Sequence, residues 1–184
     1  MFLRSEVRSG MPRRGALGVC AVLGLMAMLG GGCRCQSGMQ AFDVKVTPHL
    51  GASGDAANAP PVEVNLVGVS DEDYEKWLVY PVARYWSPRD PLRTGSKVYV
   101  MNFSHDSQEP VVLKKDDPIW SAWKEKGATH LFVVAFLPLV KDQGTADARR
   151  AEVTLDKCEW KGTSQLDFEL HDDRVVSESK PGKP

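Results

Sequence analysis

The feature that most restricts what this chain can fold into is a period-two alternation of apolar and polar residues, which returns in short runs separated by turn-forming residues. Phe42, Val44 and Val46 alternate with Asp43 and Lys45; Val62, Val64 and Leu66 alternate with Glu63 and Asn65; Leu166, Phe168 and Leu170 alternate with Asp167 and Glu169. Successive side chains of a strand point to opposite faces, so each run predicts a strand with one buried face. The run from Val98 to Phe103 predicts another, with Tyr99, Met101 and Phe103 inward, and shorter strands are expected over 110–113 and 149–155. Thr129 to Leu137 is almost wholly apolar, β-branched and aromatic, the pattern of a central strand buried on both faces. The last strand is expected to continue from Gln165 to Val176. About seven strands at this spacing predict an all-β fold, a two-sheet β-sandwich of immunoglobulin-like or transthyretin-like type, with a mixed α+β domain as the alternative.

One or two short helices are inserted in that pattern. Ser70 followed by Asp71, Glu72 and Asp73 is an N-cap with acidic residues in the first turn, and Tyr74, Trp77 and Leu78 follow at helical spacing. Asp117 as N-cap, Pro118 at the first helical position and Gly127 beyond a lysine-rich last turn bound a second. Between them, Tyr85 to Pro91 is broken by two prolines and reads as an irregular connection that exposes Tyr85 and Trp86. The stretch from Gly51 to Pro61 is made of small and turn-forming residues and is expected as an exposed loop, of a length that often carries function.

The N-terminal stretch differs in kind. Arg4, Arg8, Arg13 and Arg14 precede an uncharged run from Gly15 to Gly32, the layout of an export signal, and Met11 offers a second, more compact start. An uncleaved anchor is the competing reading, because the run approaches the length of a membrane span. Gly30, Gly31 and Gly32 before Cys33 resemble the lipobox of bacterial lipoproteins, with Leu29 one place further out than is usual there. That resemblance implies cleavage before Cys33, a diacylglycerol thioether and an N-acyl chain such as palmitate on Cys33, and anchoring by several chains together. Arg34, in place of an aspartate after the cysteine, points by the same resemblance to the periplasmic face of the outer membrane. The expected organisation is a signal peptide over 1–32, a lipidated tether over 33–41, a sandwich over 42–177 and a disordered tail over 178–184.

Of the four cysteines, Cys20 falls in the signal and Cys33 is the lipidation candidate; Cys35 and Cys158 remain, either paired in an oxidising compartment or free. A formal net charge of −1 with no basic stripe gives no pull toward nucleic acid. No metal site is expected, since the cysteines and histidines lack ligand spacing. No catalytic residue is assigned and no cofactor is implied. His49, His105, His130 and His171 lie in no recognisable motif, and the consecutive Ser104, His105 and Asp106 are discounted because triads converge in space rather than along the chain. The five tryptophans are expected mainly in the core.

The order of features resembles the TssJ family of outer-membrane lipoproteins of type VI secretion systems. The resemblance is carried by Cys33, the first strand from Phe42 to Val46 with Pro48 and Leu50, the small polar loop ending at Asn58 and Pro61, the second strand to Leu66 with Val69, and the apolar segment from Gly127 to Phe136. The segment from Tyr80 to Arg93 has no counterpart in that pattern. The resemblance implies a non-enzymatic structural component that binds the periplasmic part of an inner-membrane, TssM-like partner. Contact would fall in the first inter-strand loop, on Gly51, Ser53, Asp55 and Asn58. The alternative is a lipoprotein module that binds carbohydrate or peptidoglycan through exposed Tyr85 and Trp86.

Overall fold

A computed structural model describes residues 37–51, 61–104, 107 and 109–182. Eight strands form two four-stranded sheets. In one, the order is β4 (Val111–Leu113), β1 (Asp43–His49), β7 (Gln165–His171), β8 (Val175–Ser177); in the other it is β3 (Val98–Phe103), β2 (Val62–Ser70), β5 (Ala128–Ala135), β6 (Arg150–Thr154). Every pairing is antiparallel except β1 with β7, which run parallel from Asp43 opposite Gln165 to His49 opposite His171. The architecture is the two-sheet sandwich that the alternation predicts.

The inner faces are the expected ones. Phe42, Val44, Val46, Leu166, Phe168 and Leu170 from one sheet meet Val64, Leu66, Met101, Leu131 and Val133 from the other, all buried. Each such side chain contributes about 1.5–3 kcal/mol relative to exposure, so this slab dominates the folding energy. Helix α4 (Ile119–Glu125) closes one end of it: Trp120 and Trp123 are buried with rings at 4.9 Å, and Trp123 Nε1 donates to Lys97 O at 2.8 Å. The predicted N-cap Asp117 accepts from the backbone N–H of Ile119 at 2.8 Å.

Three further helices lie on the outer face of the second sheet: α1 (Asp71–Val79), α2 (Val82–Tyr85) and α3 (Pro91–Gly95). Trp77, Val82, Tyr85 and Leu92 pack there against Val67, Val69, Phe132 and Val134. This layer is why β5 is apolar on both faces. It also bears on two expectations. The connection expected as irregular is so over 86–90, where turns and a bend pass Pro88, but it is bounded by two short helices, α2 ending at Tyr85 and α3 beginning at Pro91, a first helical position at which a missing N–H costs nothing. Tyr85 is buried, 2% exposed, and Trp86 is half-buried, so they form no exposed aromatic platform.

The C-terminal region differs in two ways. The strand from Gln165 stops at His171, where the N–H of His171 bonds to the carbonyl of Arg174 and the chain reverses into β8, so the single strand expected to Val176 is a hairpin. Residues 178–182, expected as a frayed tail, are tied down: the N–H groups of Glu178 and Gly182 donate at 2.9 Å to the carbonyls of Asp167 and Glu159. At the other terminus packing reaches back to Ser37, whose hydroxyl donates to Asp156 at 2.7 Å, and Met39 bridges to Asp156. Among the described residues no helix is long and apolar enough to cross a membrane.

Candidate functional site

Strand direction sorts the connections into two poles. β1 enters the sandwich beside the β6–β7 connection, where Gln40 N donates to Leu155 O and Asp43 N to Ser164 O. It leaves seven residues later, about 20 Å away at ~3.3 Å per residue. At that far pole β1 hands over to β2, β3 to β4, β5 to β6 and β7 to β8, so four connections gather opposite the end at which the chain enters.

Three of the four have described anchors. Leu50 is buried, and Gly51, at φ 89°, takes up a left-handed conformation that suits glycine, while its N–H donates to Asp172 Oδ1 at 2.9 Å. The first loop is thereby fastened at its root to the β7–β8 turn. Beside it the His49 and His171 rings stack at 5.2 Å, with Glu169 carboxylate oxygens 3.6 Å from His49 Nε2 and 3.1 Å from His171 Nε2.

The β5–β6 connection is braced from within. Arg149 and Asp147 are both buried and meet in a bidentate pair at 2.9 and 2.6 Å, and Asp142 joins the same guanidinium. Asp142 also accepts from the N–H of Ala83 in α2. Burial of Arg149 pulls its pKa down from the ordinary value. Arg150 reinforces the brace, donating to the carbonyls of Trp77 at 2.8 Å, Tyr80 at 3.0 Å and Gly144 at 3.1 Å. On this rigid mount Leu139 is 95% exposed, the most exposed of the large apolar residues described.

The residues singled out from sequence therefore fare unequally. Gly51 sits at the loop-bearing pole as expected, whereas Ser53, Asp55 and Asn58, together with the lipidation candidate Cys33 and with Cys35, lie outside the described residues. Cys158 is disulfide-bonded, with its N–H held by Asp156 at 2.9 Å, at the pole where the chain enters. Leu139 was not singled out by the sequence, although an apolar pair flanked by Pro138 and Lys141 in a connection is a legible signal. Of the histidines, His130 lies against Tyr74 at 4.3 Å and 3.6 Å from Asp71, whose carboxylate already accepts from the Thr129 hydroxyl. Trp77, Trp120, Trp123 and Trp160 are core residues. Among the described residues no group of three His, Cys, Asp or Glu side chains could hold a metal ion.

No family model and no curated protein sequence matches this chain. Solved structures do. A chain in the structure described as the type VI secretion protein TssM C-terminal domain from EAEC is 12% identical, with 74% of this chain and 98% of that one covered at a TM-score of 0.50. A chain of a type VI membrane complex is 10% identical over 77% of this chain and 100% of its own length, at a TM-score of 0.51. The lipoprotein TssJ1 of Pseudomonas aeruginosa is 15% identical over 78% and 99%, at a TM-score of 0.42. At these identities the first two likenesses show a shared fold.

Proposed function

We propose that this chain is a lipid-anchored, non-enzymatic structural component of a type VI secretion envelope complex, TssJ-like in role, held at the periplasmic face of the outer membrane through Cys33. Its far pole binds the periplasmic part of a TssM-like inner-membrane partner. The observation that carries the reading is the polarity of the sandwich. The chain enters at one end, and four connections, three of them with described anchors, gather at the other. A tether at one pole leaves the opposite pole facing away from its membrane. The fold likeness, over 77% of this chain, to a chain from a type VI membrane complex supports the same assignment. On this reading Gly51, Ser53, Asp55 and Asn58 contact the partner, and Leu139 supplies an apolar anchor of the kind that fills a pocket at an interface centre.

The test is recovery of the partner from membranes. Full-length chain, Cys33→Ser, Leu139→Asp and a variant with residues 52–59 replaced by glycine and serine are compared by membrane fractionation, mass spectrometry of the Cys33 peptide, and co-purification. Cys33→Ser should leave the outer-membrane fraction. The two pole variants should stay lipidated and keep their thermal midpoint, within about 0.5 kcal/mol of stability, but lose a large inner-membrane protein. A lipidated, folded chain that recovers no such protein sinks the reading, as does retention of it by both pole variants.

A further inference from the structure

Among the described residues strand β3 is an open sheet edge that lacks the usual protections. It pairs with β2 on one side, from Val67 opposite Val98 to Val62 opposite Phe103, with no register shift. The N–H of Phe136 donates to the carbonyl of Glu63 at 2.7 Å, which turns the Glu63 backbone toward β5. By the alternation of an antiparallel ladder, Tyr99, Met101 and Phe103 then bond to β2, and the N–H and C=O groups of Val98, Val100 and Asn102 point to the open edge. Natural edges are blunted by lysine, proline, bulges or brevity. The three-residue edge strand β4 has brevity and is followed by Lys114 and Lys115; β3 has six residues, Val-Tyr-Val-Met-Asn-Phe, and none of these devices within it. Val100 is 46% exposed.

A cleft of about 450 Å³ runs beside that edge, floored by Asn65, Val98 and Val100 and rimmed by Arg89, Arg93 and Lys97. Arg93 is held by Glu63 at 2.7 Å and lies over the Trp86 ring at 4.7 Å. Asp90, the acidic residue lining the cleft, is spent: Oδ1 caps α3 through the N–H groups of Leu92 and Arg93, and Oδ2 accepts from the Tyr80 hydroxyl. Arg89 and Lys97 have no ion-pair partner among the described residues, and Arg89 adopts φ 63°, a strained conformation for a residue with a Cβ. Two uncompensated cations therefore border a strand edge ready to accept main-chain hydrogen bonds.

We propose that β3 receives an extended acidic segment of a protein partner as an added strand, with main-chain bonds at Val98, Val100 and Asn102 and carboxylates over the cleft beside Arg89 and Lys97. Addition of a strand derives affinity from the backbone and selectivity from alternate side chains, which here fall on the outer face, where the cations are. This surface is separate from the loop-bearing pole, so either assignment can fail while the other stands.

The experiment uses the full-length chain in detergent and, as probes, a short peptide alternating valine with glutamate and its valine–lysine counterpart. The glutamate peptide should bind saturably, slow amide exchange at Val100 and Asn102 by at least about tenfold, and bind at least about tenfold more tightly than the lysine peptide at low salt. Val100→Pro should abolish binding without unfolding the sheet, because the lost N–H makes no bond to β2. Should that variant fail to fold, Arg89→Glu with Lys97→Glu carries the test, and should reverse the preference between the two peptides. Absence of saturable binding or protection overturns the proposal, as does equal binding of both peptides or an unchanged preference in the charge variant. So does concentration-dependent dimerisation removed by Val100→Pro with no peptide binding, which would make a second copy the occupant of this edge.

Discussion

Gly68 offers the sharpest test of the packing. It lies on the inner face of β2, and a Cβ built there would sit 2.5 Å from Trp123 Cγ, 2.7 Å from its Cβ and 2.8 Å from its Cδ2. Trp123 is fully buried and its Nε1 is committed to Lys97 O at 2.8 Å, so the ring cannot retreat without breaking that bond or shifting α4. Overpacking of this kind costs about 1–3 kcal/mol, and loss of the indole hydrogen bond adds about 1 kcal/mol. Relief of glycine's backbone entropy returns about 0.5–1 kcal/mol. Gly68→Ala should therefore destabilise the domain by about 2–3 kcal/mol, which lowers the urea midpoint by about 1 M at a slope near 2 kcal/mol/M, with the slope unchanged. In a Trp123→Gly background, which removes all three of these atoms, the same methyl enters vacated space, and its cost should fall to within about 0.5 kcal/mol. A midpoint shift below about 0.3 M in the wild-type background, or the same cost in both, would refute the close-approach argument.

Three further outcomes can be checked by ordinary means. Burial pushes the Tyr85 hydroxyl up to about 12 from 10.0, so the folded state keeps its proton when the unfolded state has lost it; the stabilisation is complete below pH 10 and drains away as pH rises through about 12. At 1.36 kcal/mol per pKa unit that share is roughly 2–3 kcal/mol, and Tyr85→Phe should flatten the alkaline slope by that amount, leaving the shares of Tyr74 and Tyr80, which are shifted in the same direction. Arg150→Lys replaces a planar fork by a point charge and should loosen the C-terminal end of α1, costing roughly 1–3 kcal/mol and speeding amide exchange there; unchanged exchange around Tyr80 would argue against the clamp. Cys158→Ser should cost roughly 2–4 kcal/mol, and a reductant should bring the unmodified chain down to the variant's stability while leaving the variant unmoved.

Much of the candidate site was out of reach of the sequence for identifiable reasons. Tyr85 and Trp86 read as exposed because Pro88 and Pro91 interrupt the segment, yet Tyr85 closes the short helix α2, whose packing on the outer face of the sheet buries it, and the irregular path begins only after it. The ends of β7 and β8 merged into one predicted strand because Asp172 and Asp173, which make the turn, differ little from the polar residues of an exposed strand face. The pair Leu139 and Val140 is apolar in a connection but has no period to say which way either side chain faces; the exposure of Leu139, 95%, comes from the tertiary structure.

What the sequence determined by itself was the inward face of each strand, since a period of two leaves one choice once one face is apolar: Phe42, Val44 and Val46, Val62, Val64 and Leu66, Met101 and Phe103, and Leu166, Phe168 and Leu170 all point where alternation sends them. It also determined the helix at Asp117 and the buried destiny of the apolar run after Thr129. Only the tertiary structure decided which strands are neighbours. The parallel pairing of β1 with β7, across more than a hundred residues of chain, leaves no mark on either strand's own pattern, because both hydrogen-bond ladders accept the same alternation. That pairing orients the sandwich, placing the entry of the chain at one pole and four connections at the other; in the other sheet, the pairing of β2 with both β3 and β5 leaves β3 at an edge among the described residues.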